Sequence, residues 1–310
     1  MTDNSPDFRL RHAVGQGVNF CFYLLGKAQL RLPALARPML WIALDRDPFA
    51  DFARRFDAAR AAELDALQVE PLWRPWLQAV VETCPDAAAD TLSVMPELPA
   101  RPHVRAAFQR FSRMHLNDFL ERWTGIKLEM EGRLAEAVRS FDAGRILARH
   151  QETLGIEYGP GRAIFHYHVL PIFSVNRFGA ACVVGAAYLE RPERLAGVVA
   201  HGALHALVGQ TDVWRREEVR PALEALGRNL RIGYLRPQDA AEEALCILAD
   251  VLEYEGEGAP FERIERRVAA PALRIIARAL YETRRMRRSQ GFVEWIAAAL
   301  QQAARARRTL

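Results

Sequence analysis

The chain is 310 residues long, half of them apolar and 26% charged, with a formal net charge of +4. One large domain or two of ordinary size fit that length, and the apolar fraction is ample for a sizeable core. So small a net charge gives no ground for a nucleic-acid partner. No nucleic-acid-reading motif accompanies the late basic runs "RRMRR" (Arg284–Arg288) and "RARR" (Arg305–Arg308), which read as solvated helix faces.

The first segment, "MTDNSPDF", is acidic and lacks the basic start of a secretory signal. The apolar run "VNFCFYLL" (Val18–Leu25) has eight residues. A bilayer crossing takes about 20. Cys21, Cys84, Cys182 and Cys246 form no C-x-x-C pair, which suits reduced, buried thiols. These features set the expectation of a cytoplasmic protein with no membrane span.

From about Ala36 to His150 the pattern is helical. Asp47-Pro48 opens a helix carrying Phe49, Phe52, Phe56 and Ala59 at spacings of three and four. "VEPLWRPWLQAVVETC" is a second helix, with Trp73, Trp76 and Leu77. "LPARPHVRAAFQRFSRMHLNDFL" enters at Pro102 and lines up Phe108, Phe111 and Leu116. "EGRLAEAVRSFDAGRILARHQETLG" follows and breaks at Gly155. Residues 1–155 are therefore expected to form a helical region.

The character changes at the turn signal Tyr158-Gly159-Pro160-Gly161. "RAIFHYHVLPIF" (Arg162–Phe173) reads as a strand with Ile164, His166, His168 and Leu170 on one face. "SVNRFGA" reads as a turn and "ACVVGAAYLE" (Ala181–Glu190) as a second strand. Pro192 and Glu193 open a helix that Gly209 closes. Further helices follow: one over "REEVRPALEALGRNL", bent or restarted at Pro221, a long one from near Pro237, one from Pro271 to about Met286, and one from Gly291 to about Ala306. The expected class is α+β, mostly α-helical.

Within the helix from Pro192 stands "HGALH". His201 and His205 are four apart, so both imidazoles project from one face and can share an ion. Zinc needs a third protein ligand, and the helix after Pro237 offers Glu242 and Glu243. Being adjacent, these point about 100° apart, so one of the two is expected to face the histidines. Glu242 shares a stripe with Leu245, Ala249 and Leu252, which turns it inward. Glu243 shares one with Cys246, Ile247 and Asp250, a second acid, and that stripe suits a mouth-facing surface.

"HGALH" followed by "AEEALCILADVL" resembles the gluzincin branch of the zincin metallopeptidases. There an H-E-x-x-H helix supplies two ligands and a glutamate on a later helix, often in an N-E-x-x-A setting, supplies the third. The resemblance covers roughly Tyr158 to Glu255. It implies zinc held by His201, His205 and Glu243, with Glu242 as the alternative ligand. It also implies a zincin-like domain over 156–310, with a small sheet whose edge strand, "ACVVGAAYL", pairs with an extended peptide or protein segment. Gly202 occupies the position of the family's catalytic glutamate. A positioned general base is worth typically ~10²–10⁴ in rate, and glycine cannot move a proton. Replacement bases to consider are Glu242, His166 and His168, with Tyr234 and Tyr254 as donors to an oxyanion.

Three functions follow from these residues. The first is a zinc-binding pseudo-peptidase that binds peptide or protein without conventional hydrolysis. The second is an active metallohydrolase using a base other than position 202. The third is a metal-free helical interaction protein in which His201 and His205 are structural.

Overall fold

The computed structural model describes residues 8–27, 70–95, 102–156, 159–170, 173, 175–230, 236–256, 258–268 and 270–306. The helix expected over Phe49, Phe52, Phe56 and Ala59 lies outside them, as do Tyr234 and the side chains of Trp73, Phe108 and Tyr254. In chain order the elements are β1 (Phe8–Ala13), α1 (Gln16–Lys27), α2 (Glu70–Thr83), α3 (Pro102–Val138), α4 (Ala143–Leu154), β2 (Gly161–His168), β3 (Val175–Phe178) and β4 (Ala181–Gly185). They continue with α5 (Pro192–Gln210), α6 (Arg220–Asn229), α7 (Pro237–Glu255), α8 (Phe261–Arg267), α9 (Pro271–Thr283), α10 (Met286–Gln290) and α11 (Phe292–Ala306). The class is α+β and mostly helical, with one small mixed sheet. Among the described residues, no helix is long and apolar enough to cross a membrane.

The chain folds into two units built from separated segments. One comprises Arg11–Phe141 and Ile164–Val198; the other comprises Met1–Leu10, Asp142–Ala163 and Val199–Leu310. Residues from both sides of position 155 enter each.

In the first unit, the apolar run 18–25 is the middle of α1. Val18, Phe20, Cys21 and Leu24 are fully buried, as a helix apolar on all sides requires. Gly17 donates its N–H to the Pro85 carbonyl (2.8 Å), and a Cβ at Gly15 or Gly17 would collide with the Cys84–Pro85 backbone. Asn19 ties α1 to the end of β2. Its amide nitrogen donates to the Tyr167 carbonyl at 3.0 Å and its oxygen accepts from Val169 N–H at 2.8 Å. The runs expected at 98–120 and 131–155 divide elsewhere: α3 continues from Pro102 to Val138, through both, and the break falls before Asp142, which caps α4. Phe111, Phe119, Trp123, Met130, Leu134 and Ala137 form the buried stripe of α3.

The sheet order is β1-β2-β4-β3. β2 and β4 run parallel (Ile164 opposite Ala181, His168 opposite Gly185), and β3 and β4 run antiparallel (Val175 opposite Val184, Phe178 opposite Ala181). Three expectations are corrected here. "SVNRFGA" is mostly strand β3, with the turn confined to the residues around Gly179, whose φ of +55 suits glycine. The polar Asn176 and Arg177 masked the strand because β3 lies at the sheet border and is exposed on that side. The second strand ends at Gly185, and Ala186–Glu190 forms a 3₁₀ turn. Most importantly, β4 is not an edge. Both its sides are occupied by β2 and β3, so it has no free backbone groups for a peptide.

The second unit is helical around one apolar core. Leu204, Val208, Trp214, Leu245, Leu248, Ile276, Leu280, Trp295, Ile296 and Leu300 belong to it. Burying each such side chain stabilises by about 1.5–3 kcal/mol. Two polar side chains tie its helices together: the Trp295 indole donates to Thr283 Oγ1 (3.1 Å) and Asn229 Nδ2 donates to the Ala304 carbonyl (2.9 Å). The short α8 was not foreseen, and the helix expected from Pro271 to Met286 divides after Thr283 into α9 and α10.

Candidate metal centre

The second unit carries the histidine pair. α5 starts at Pro192, with Glu193 in its first turn, where the missing proline N–H and the acidic charge both suit a helix start. His201 and His205 follow one turn apart, their rings 4.7 Å between centroids and nearly perpendicular. α7 starts at Pro237, and Arg236 closes its first turn with two 2.8 Å bonds to Asp239. Ala240, Ala241 and Ala244 are buried with almost no exposed area.

The side chains of α5 and α7 converge. His205 Nε2 lies 3.1 Å from His201 Nε2 and 3.2 Å from Glu243 Oε2, and His201 Nε2 lies 3.7 Å from Glu243 Oε1. Ligands at ~2.0–2.1 Å around a tetrahedral ion are separated by about 3.3 Å. The three groups therefore have the spacing of tetrahedral corners, and they form a cluster able to hold a metal ion. The outer nitrogens are also engaged. His201 Nδ1 is 2.8 Å from Asp250 Oδ2, and His205 Nδ1 is 2.8 Å from Glu242 Oε1. A carboxylate accepts, so each Nδ1 carries the hydrogen and each Nε2 turns toward its neighbours.

Adjacent acids were expected to divide, with only one of Glu242 and Glu243 near the histidines. Both reach His205, because an imidazole has two nitrogens on opposite sides and acids about 100° apart can take one each. Glu242 is 4% exposed and turned inward, whereas the Glu243 side chain is 38% exposed and the His201 side chain 28%. The cluster is thus sealed on the Glu242 side and open on the Glu243 side.

The electrostatics follow from the crowding. Burial disfavours a charged His201, but the hydrogen bonds and charges of Asp250 and Glu243 outweigh it and hold its pKa up to about 10. Burial likewise opposes an ionised Glu243, yet hydrogen bonds from His201 and His205 and their charges keep its carboxyl well below the usual range. Without a cation, the centre needs a proton on His201 to separate two facing nitrogens and a carboxylate.

Gly202 is buried in α5 and contributes no side chain. Of the candidate replacement bases, Glu242 is committed to His205 Nδ1 and to Trp214. His166 and His168 belong to the other unit, on β2, buried and with no hydrogen-bond partner for either ring nitrogen among the described residues. Desolvation lowers the pKa of both, that of His168 to about 3, and His168 stacks on Phe22 at 4.1 Å.

Two residues of the centre had no assigned role from the sequence. Asp250 stands two turns beyond Glu243, and this spacing could have marked it as a partner for His201. Trp214 lies beyond the end of α5 in the 3₁₀ turn Val213–Arg215, entered through Asp212 at φ +51. Its indole N–H donates to Glu242 Oε2 at 2.9 Å. No local pattern marks it, since an apolar-looking tryptophan past a helix end reads as core. Comparison of the chain with protein-family models, with curated proteins and with solved structures finds no match.

Proposed function

We propose that the chain binds one divalent transition-metal ion, zinc by the donor chemistry, through His201, His205 and Glu243. In this proposal it is a zincin-like centre that lacks the peptidase base. The observation that carries this is the double orientation of the histidines. Each presents Nε2 to a common point while its Nδ1 is held at 2.8 Å by a carboxylate of its own, Asp250 or Glu242. Such outer carboxylates fix the tautomer and ring angle that a metal requires. A purely structural histidine pair has no need for three nitrogen and oxygen atoms crowded at 3.1–3.7 Å.

When bound, the ion supplies Lewis acidity and a position for a water or another ligand on the open side. The residues around it hold and orient. Gly202 can neither take up nor deliver a proton, so conventional peptide hydrolysis lacks its proton carrier. Binding of a partner is the activity that remains, and any peptide recognition must use a surface other than β4.

The test is metal analysis of the full chain purified without a histidine tag, followed by zinc titration. We expect one zinc per chain, and we expect His205→Ala to lose tight binding while keeping its helical circular dichroism. A wild-type chain that takes up no zinc, cobalt or iron would leave only the metal-free interaction protein.

A further inference from the structure

We infer that Trp214 and Glu242 act as a positioning pair for the ligand His205, and that Trp214 is the reason a carboxylate, rather than an amide, must stand at position 242. The pair matters only if the centre binds a metal as proposed above.

Two hydrogen-bond donors converge on Glu242 from different elements. His205 Nδ1–H, from α5, meets Oε1 at 2.8 Å; Trp214 Nε1–H, from the turn that follows α5, meets Oε2 at 2.9 Å. An indole N–H can only donate, and an Nδ1 that leaves Nε2 free for a metal must donate too. A carboxylate offers one oxygen to each. A glutamine offers a single carbonyl oxygen and an NH₂ group. One of the two donors would then face another donor in a space where Glu242 is 4% exposed and Trp214 is 7% exposed. A buried donor with no acceptor is heavily penalised, so the histidine or the indole must rotate away.

The arrangement is asymmetric. Asp250 holds His201 through Oδ2, while its Oδ1 is buried with no hydrogen-bond partner among the described residues. Glu242 is fixed at both oxygens, and the ring it holds is the more buried of the two, with a side chain 7% exposed against 28% for His201. His205 is therefore the anchored ligand of the centre. Its orientation is set by a chain of contacts running from Trp214 through Glu242 to the ring.

The experiment is a double-mutant cycle on the full, tag-free chain, with zinc affinity read by competition against a chromophoric chelator. The visible d–d band of the cobalt form is the second readout, and far-ultraviolet circular dichroism is the check on folding. We expect Glu242→Gln to weaken zinc binding about 10–100-fold and to shift the cobalt band. We expect Trp214→Phe, which leaves the charge in place, to weaken binding by a smaller factor. The double variant Trp214→Phe/Glu242→Gln should bind more tightly than the product of the two single losses, because one glutamine carbonyl then serves the one donor left. Strictly multiplicative losses, or single variants that bind zinc as wild type does with an unchanged cobalt band, overturn the pair. If Glu242→Gln does not fold, Trp214→Phe decides alone, by whether affinity and band move. A wild-type chain that binds no metal defeats the metal centre itself, a result distinct from either of these.

Discussion

At the scale of single residues, charge and burial make two testable statements. Below its raised pKa of about 10, metal-free His201 holds a second proton, and a metal ion needs its Nε2 bare. Zinc uptake between pH 7 and 8 is therefore expected to release about one proton per chain. Titration calorimetry in buffers of different ionisation enthalpy measures this, and an apparent enthalpy independent of buffer would contradict it. His168 supplies the second. Its folded pKa, about 3, lies below the unfolded 6.5 because burial against Phe22 disfavours the charged ring. The unfolded chain thus binds the extra proton between these values. Stability from this source is complete above pH 6.5 and is lost as pH falls toward 3, by about 5 kcal/mol in all. Denaturant melts at successive pH values should show this decline, and His168→Leu should flatten it. An identical slope in the variant would remove His168 as its cause.

At the scale of elements, local signals decide where helices begin and end, and they were readable only where such signals stand close together. α4 is bracketed on both sides. Asp142 accepts the Arg145 N–H at 3.1 Å as its N-cap, and Gly155, at φ +64, returns its N–H to the Gln151 carbonyl at 2.8 Å. Asp142→Ala is expected to cost about 1 kcal/mol, and Gly155→Ala a similar amount for placing a Cβ in the left-handed region. Chemical-denaturation midpoints measure both, and no loss in either variant would deny the caps their role. The prolines at 192, 237 and 271 announced α5, α7 and α9 correctly, because a ring without an N–H costs nothing in the first turn. β3 and α8 escaped notice for the opposite reason. They are short, and the exposed positions of an edge strand or surface helix carry no apolar period to read.

At the scale of the whole molecule, a shared ion would cross-link α5 to α7 within one unit, and binding to the folded state alone raises stability by mass action. Free zinc at 100 times its dissociation constant is expected to add about 2.7 kcal/mol. A chelator should remove that gain and lower the melting temperature, while His205→Ala should show no zinc-dependent shift; equal melting with and without zinc in the wild type would count against the cross-link. What the amino-acid order determined alone was the helical class, the starts of the helices led by Pro102, Pro192, Pro237 and Pro271, and two imidazoles on one face, because four residues make about one turn wherever the helix lies. Tertiary packing decided the rest. It put Glu243 at the inner nitrogens and Glu242 and Asp250 at the outer ones, brought Trp214 onto Glu242, and enclosed β4 between two strands. The side-chain meetings join residues 28 to 49 positions apart, and only the burial of the apolar faces fixes which of their polar neighbours come within reach.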